Sequence, residues 1–205
     1  WRRRRQQRRR HGPSRVLIAL GGGPRPGALW RLTDALRRSM PDASIEVAPG
    51  LRPLPAAWVP RFRRLGAELV PAREFLARLA DCDIAVLAGG VSLYEAAALG
   101  VPVVAVAVVP GQAPTVRAFG QAGWAVDGGR LGAAGPPACR RVARLARALL
   151  GDAERRRSMA QGARAGVDGR GVARVAALLL RAWRRRRATS GGRRAPQRQR
   201  QGGPR

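Results

Sequence analysis

The sequence predicts an α/β fold, a doubly wound parallel sheet, and three observations predict it. Short runs rich in Val, Ile and Leu alternate about six times with segments of helical periodicity. The fifth run, "VPVVAVAVVP" (101–110), is apolar at every second position and between, as in a strand covered by helices on both faces. Two glycine loops, at 21–23 and 89–90, each follow a strand, at the sheet edge where open α/β folds hold their ligands.

Taken in order, "RVLIAL" (15–20) has the length and branching of a buried strand and runs into "GGGPRPG". "ALWRLTDALRRSM" (28–40) places Leu29, Leu32, Leu36 and Met40 at helical spacing, and Pro41 stops it. "SIEVAP" (44–49) is a second strand, and the proline-rich "GLRPLPAAWVP" (50–60) reads as either a loop or a short helix. "AELVPA" (67–72) reads as a third strand, "REFLARLADC" as a helix and "DIAVLAGG" (83–90) as a fourth strand. A helix over "SLYEAAAL" (92–99), the fifth strand and a helix near 112–122 lead to "WAVD" (124–127), a sixth strand. Helices over about 137–150 and 152–165 come next, and "DGRG" opens a last one to Trp183. The predicted organisation is one domain, residues 14–183, between two Arg-rich tails, 1–13 and 184–205.

Charge sets those tails apart. All 40 basic residues are Arg, against 12 acids, for a formal net charge of +28. Absence of both Lys and Asn points first to a GC-rich genome. Neither tail carries an acid or an apolar period, so both read as disordered. Without Lys there is no P-loop lysine and no Schiff base. The single His, His11, lies in the first arginine run, which argues against a Ser-His-Asp triad or a His-based zinc site in the folded part. Cys82 and Cys139 lack CxxC spacing and read as reduced thiols. No apolar stretch reaches membrane-spanning length. These observations lead us to expect a cytoplasmic protein with no metal and no cofactor. The chain starts at Trp1, without Met, and reads either as a fragment or as a conceptual translation.

Chemistry concentrates at Gly89, Gly90, Ser92 and Glu95. A glycine pair between strand and helix lets a ligand approach the backbone, and the helix N-terminus offers N–H groups to a phosphate. The same Ser-x-x-Glu spacing matches a capping box, in which Ser92 and Glu95 only satisfy the helix end. Spacing alone leaves both readings open. The first loop misses the dinucleotide fingerprint, since Pro26 stands where a third glycine is required, although Arg25 could pair with an anion. Gln112 lies at the same predicted edge. Asp127 and Asp168 fit turn or cap roles as readily as ligand roles, and Phe75 and Leu76 read as core.

The block "FLARLADCDIAVLAGGVSLYEAAALGVPVVAV", a Gln after the fifth strand and the ending "DGRGVARV" resemble the C-terminal domain of GT-B nucleotide-sugar enzymes. The likeness is strongest to the UDP-sugar hydrolases of pseudaminic acid synthesis and the spore-coat polysaccharide biosynthesis proteins. It is more distant to the lipid-II-forming GlcNAc transferase, and it covers roughly residues 15–182. The resemblance implies that Glu95 holds the ribose hydroxyls of UDP and that Gly90, Val91 and Ser92 lie against the diphosphate. It implies uracil read by the backbone at Leu76, a sugar faced by Gln112, and Gly22 and Gly23 lining the cleft. The hydrolases usually carry Asn-Gln where this chain has Gly111-Gln112, so hydrolase and transferase both stay open.

The resemblance leads to the expectation of a UDP-sugar-binding domain serving bacterial surface-glycan synthesis of nonulosonic acid or spore-coat type. In the resembled families the catalytic group sits in an N-terminal domain, so this chain alone is expected to bind without turnover. Two alternatives stand beside it. One is an Arg-rich nucleic-acid- or anion-binding protein, because arginine tails neutralise phosphates non-specifically. The other is the non-catalytic half of a two-chain glycosyltransferase.

Overall fold

The computed structural model describes residues 13–23, 25–131 and 135–190. Among these, six strands form one sheet: β1 (Arg15–Ala19), β2 (Ser44–Ala48), β3 (Ala67–Leu69), β4 (Ile84–Ala88), β5 (Val103–Ala107) and β6 (Val126–Arg130). All neighbours are parallel, in the order β3-β2-β1-β4-β5-β6. The strand order reverses between β1 and β4, which pair directly, with Val16 opposite Ile84 and Ala19 opposite Leu87. That reversal opens a crevice beyond their carboxyl ends. Both glycine loops leave the sheet there.

The central strands β4 and β5 are apolar throughout, and β1 after Arg15, because both faces are covered. Val16 and Ile18 of β1 point to one face and Leu17 and Ala19 to the other, each fully or nearly fully buried. On the first face α1 (Pro26–Ser39) buries Leu29, Leu32 and Leu36 against Val142 and Leu149 of α6 (Pro136–Gly151). A short α2 (Val59–Arg64) adds Phe62 to that face. On the second face stand α3 (Phe75–Asp81), α4 (Val91–Leu99), α5 (Ala113–Gln121) and α7 (Ala153–Gly166), contributing Leu79, Leu93, Phe119 and Ala163. Burial of the larger of these side chains supplies about 1.5–3 kcal/mol each, which holds the layers to the sheet.

Local polar groups finish the turns. The Arg37 guanidinium donates to four carbonyls, of Pro41, Ala43, Leu65 and Gly66, and ties the end of α1 to the turn before β3. Helix α4 ends on Gly100, whose φ of +69° suits glycine and makes a left-handed cap.

The proline-rich connection, read as loop or short helix, contains the start of helix α2. Other expectations change. Strand β6 starts at Val126, two residues later than read, and runs to Arg130. The last helix, α8 (Gly171–Ser190), passes the predicted boundary at 183, so residues 184–190 are helical where a disordered tail was expected. An apolar stripe that begins at Val172 simply continues into arginines that a helix tolerates well. The chain also divides into two units at Val167 and Asp168 rather than forming one domain to 183. Residues 1–12 and 191–205, which hold most of both predicted tails, lie outside the described residues.

Candidate functional site

At the switch point, a cavity of about 130 Å³ lies between Ala19, Gly21 and Gly22 after β1 and Ser92 of α4. Its remaining wall comes from the β2 end and the start of α3: Gly50 and Leu51 on one side, Ala72 and Phe75 on the other. The two glycine turns touch. Gly21 has φ +100° and Gly50 φ +112°, and a Cβ on Gly50 would stand 2.6 Å from the Gly21 carbonyl oxygen. No other residue fits Gly50 without moving the first loop.

The amino terminus of α4 is open. Gly90 occupies the cap position with extended backbone, and no side chain accepts a hydrogen bond from the first turn. Val91 is therefore the first helical residue and Ser92 the second, two positions too late for Ser92 to open a capping box. The capping reading is thereby corrected. Ser92 turns to the cavity instead. Glu95, half-buried and one turn further on, makes no hydrogen bond or ion pair among the described residues. The first-turn N–H groups and the positive end of the helix dipole face the same space.

Gln112 is brought to this terminus by backbone contact. A Cβ on Gly89 would lie 3.0 Å from the Gln112 carbonyl oxygen and 2.8 Å from Val116 Cγ2, so only glycine permits the approach. The Val108 N–H donates to Gln112 Oε1 at 2.9 Å. Since that oxygen is occupied, Nε2 faces Gly90, 3.9 Å from where a Cβ would stand there. The edge thus collects N–H and O–H donors beside one acceptor-only carboxylate. Donors of this kind suit phosphate oxygens, and a carboxylate suits vicinal hydroxyls.

The other named residues fall less centrally. Gly23 is exposed, with nothing within 4 Å of a Cβ placed on it, and does not line the cavity. Val91 is 75% exposed at the rim. Leu76 is exposed as well, which corrects its reading as core: it sits on the outer face of α3 while Phe75 packs inward. Asp127 Oδ1 accepts the Gly129 N–H at 2.7 Å and closes a turn. Asp168 accepts the Arg170 N–H and pairs with Arg174, and these bonds hold its carboxyl below the ordinary range. Cys82 and Cys139 are buried without a disulfide, and burial pushes the Cys139 thiol up despite Arg31 and Arg140. Among the described residues no group of three His, Cys, Asp or Glu is placed to hold a metal ion. Nor is any described helix long and apolar enough to cross a membrane.

Gly50 and Phe75 escaped the sequence reading as walls of the cavity. A signal existed for the first, because Pro49-Gly50 closes β2 as the glycine loop closes β1. None existed for the second.

The fold is that of the C-terminal half of GT-B nucleotide-sugar enzymes. The chain matches the C-terminal domain of a glycosyl transferase group 1 family protein (LpcC) from Francisella tularensis, at TM-score 0.52 and 17% identity. That match covers 80% of this chain and 88% of the other. It also matches UGT71G1 of Medicago truncatula, solved with UDP-glucose, at TM-score 0.59 and 13% identity, covering 82% and 38% of the two chains. In sequence, the chain is 37% identical over 95 residues to the spore coat polysaccharide biosynthesis protein SpsG of Bacillus subtilis (strain 168). This stretch is 46% of the chain but only 27% of that relative. No family model matches.

Proposed function

We propose that this domain binds a UDP-sugar and forms the donor-binding half of an enzyme of surface-glycan synthesis. The observation that supports it best is the uncapped α4 terminus, with Ser92, Glu95 and the Gln112 amide gathered beside a glycine-lined cavity. In this reading Gly22, Gly90, Val91 and Ser92 lie along the diphosphate, with Gly23 at the outer lip. Glu95 accepts from the two ribose hydroxyls, the backbone at Leu76 meets the uracil, and Gln112 donates to the sugar side. Solved structures of the same fold were obtained with UDP-glucose and with UDP, which supports uridine.

A second half completes the site. Leu51, which lines the cavity, is 83% exposed, and Val91 and Val109, in the turns after β4 and β5, are exposed apolar side chains as well. Exposed apolar side chains at such a place suit a protein surface closing over the ligand. A fold neighbour is the GtfA/B complex, at TM-score 0.59, which supports a complementary chain as one form of that half. The water- or acceptor-activating group would then come from the complementary half, because Glu95 is committed to ribose.

Thermal unfolding with UDP, ADP and NAD tests the reading. Ligand at about one hundred times its dissociation constant adds roughly 2.7 kcal/mol, so UDP is expected to raise the Tm clearly and the other two hardly at all. Equal shifts from all three, or none, would sink the uridine assignment.

A further inference from the structure

Gln112 enters the site with its acceptor spent and its donor free. Its backbone N–H donates to the Val109 carbonyl, within the short helical turn after β5. Its side-chain Oε1 accepts the Val108 N–H at 2.9 Å. Nε2 has no acceptor among the described residues. A backbone N–H can only donate, so the amide cannot turn over without setting two donors against each other. The Gln112 backbone is fixed as well, because Gly89, lacking a Cβ, packs against its carbonyl and Cβ. The side chain therefore offers a ligand N–H groups alone, at one place.

Topology sets that place along the course of the ligand. The sheet order runs β2-β1-β4-β5. The cavity is walled by the ends of β1 and β2 and the start of α3, with Ser92 as its contribution from α4. Gln112 belongs to the next turn along the sheet, after β5, and does not line the cavity. Its Nε2 stands over Gly90, 3.9 Å from where a Cβ would be. A nucleotide with its base at the cavity end and its phosphates at the α4 terminus thus meets Ser92 first and Gln112 last. A group that only donates suits a phosphate oxygen, which only accepts, better than a sugar hydroxyl, whose own proton it leaves unanswered. We propose that Gln112 donates to the β-phosphate, the sugar-bearing end of the diphosphate, and makes the site select nucleoside diphosphates over monophosphates. This assignment rests on the nucleotide-sugar reading and narrows it.

The full chain is titrated calorimetrically with UMP, UDP and UDP-glucose. In Gln112→Glu one carboxylate oxygen still accepts the Val108 N–H, and the other puts negative charge where Nε2 stood. UDP and UDP-glucose are expected to weaken alike, by about tenfold or more, the scale of a hydrogen bond to a charged group. UMP should weaken by less than about threefold, through charge at longer range. Gln112→Met removes the donor without adding charge, guards against a folding defect in the first variant, and should give the same order of losses. Weakening of UDP-glucose alone would overturn the proposal and assign Gln112 to the sugar. Equal weakening of all three ligands, or of none, would overturn it as well. An unaltered chain that binds none of the three fails the nucleotide-sugar reading itself. One that binds UDP without this pattern fails only the assignment of Gln112.

Discussion

Glu46 and Glu95 are two acids on the same side of one sheet, and their surroundings differ at every point. Glu46, 1% exposed on β2, accepts through Oε1 from Arg15 at 2.7 Å and from Arg78 at 3.3 Å. Arg78 goes on to Glu68 at 2.6 Å and Glu74 at 3.2 Å. Partial burial opposes its charge, but those bonds outweigh it and hold Arg78 above its ordinary value. Asp83 joins the cluster by accepting the Arg15 backbone N–H. Toward the amino ends of the strands, then, charged groups pair with one another, although Glu46 Oε2 is buried without a hydrogen-bond partner. At the carboxyl ends Glu95, one turn beyond the cavity-lining Ser92, has no partner of its own among the described residues, and the first turn of α4 before it has no side-chain cap. The contrast teaches where to look for a ligand: unpaired polarity at the switch point, not polarity as such.

The largest expected effect comes from breaking the paired end. Glu46→Ala leaves two guanidinium groups facing a buried gap, and should cost about 2–4 kcal/mol of stability in urea unfolding, because a broken buried pair leaves uncompensated charge. The partial exposure of both arginines keeps the figure from running higher. UDP affinity of the folded protein should stay unchanged. Parallel loss of stability and affinity would mean that the two ends are coupled, and the contrast would fail.

Glu95→Gln probes the open end with the opposite signature. Stability should change by less than about 0.5 kcal/mol, as for surface substitutions away from packed features. UDP affinity, measured by calorimetry, should weaken by about 1.5–3 kcal/mol, the range for hydrogen bonds to a charged group. A stability loss with intact affinity would return Glu95 to a structural role.

The smallest effect concerns Asp168, an acid paired locally and in the open. Its folded-state carboxyl lies below the ordinary value, so its contribution is complete above about pH 4 and fades as the pH falls through the depressed value. Asp168→Asn should therefore reduce far-UV helical signal slightly near neutral pH, and match the unchanged protein in strong acid. A difference persisting in acid would show that charge is not what Asp168 contributes.

Periodicity and branching determined the alternation of strands and helices, and with it the parallel sheet. Strands β1, β4 and β5 are apolar on both faces, a pattern few other folds allow, and glycine pairs after β1 and β4 marked the carboxyl edge of the sheet. The spacing of Ser92 and Glu95 could not say whether they cap or bind, because a small shift in the helix start decides it. Tertiary structure removed the capping reading: Gly89 packs against Gln112 and Val116, and the chain enters α4 with Gly90 as its cap. The touch between Gly21 and Gly50 was equally out of reach, since it joins loops after two different strands and depends on β1 and β2 being neighbours. Leu76 turned outward because α3 shows the sheet only one side, and no local pattern in seven residues says which. Local sequence sets what each segment can be, by backbone preference and apolar period. Contacts between distant segments decide which polar groups are left for a ligand, because satisfaction of a hydrogen bond is a property of the pair.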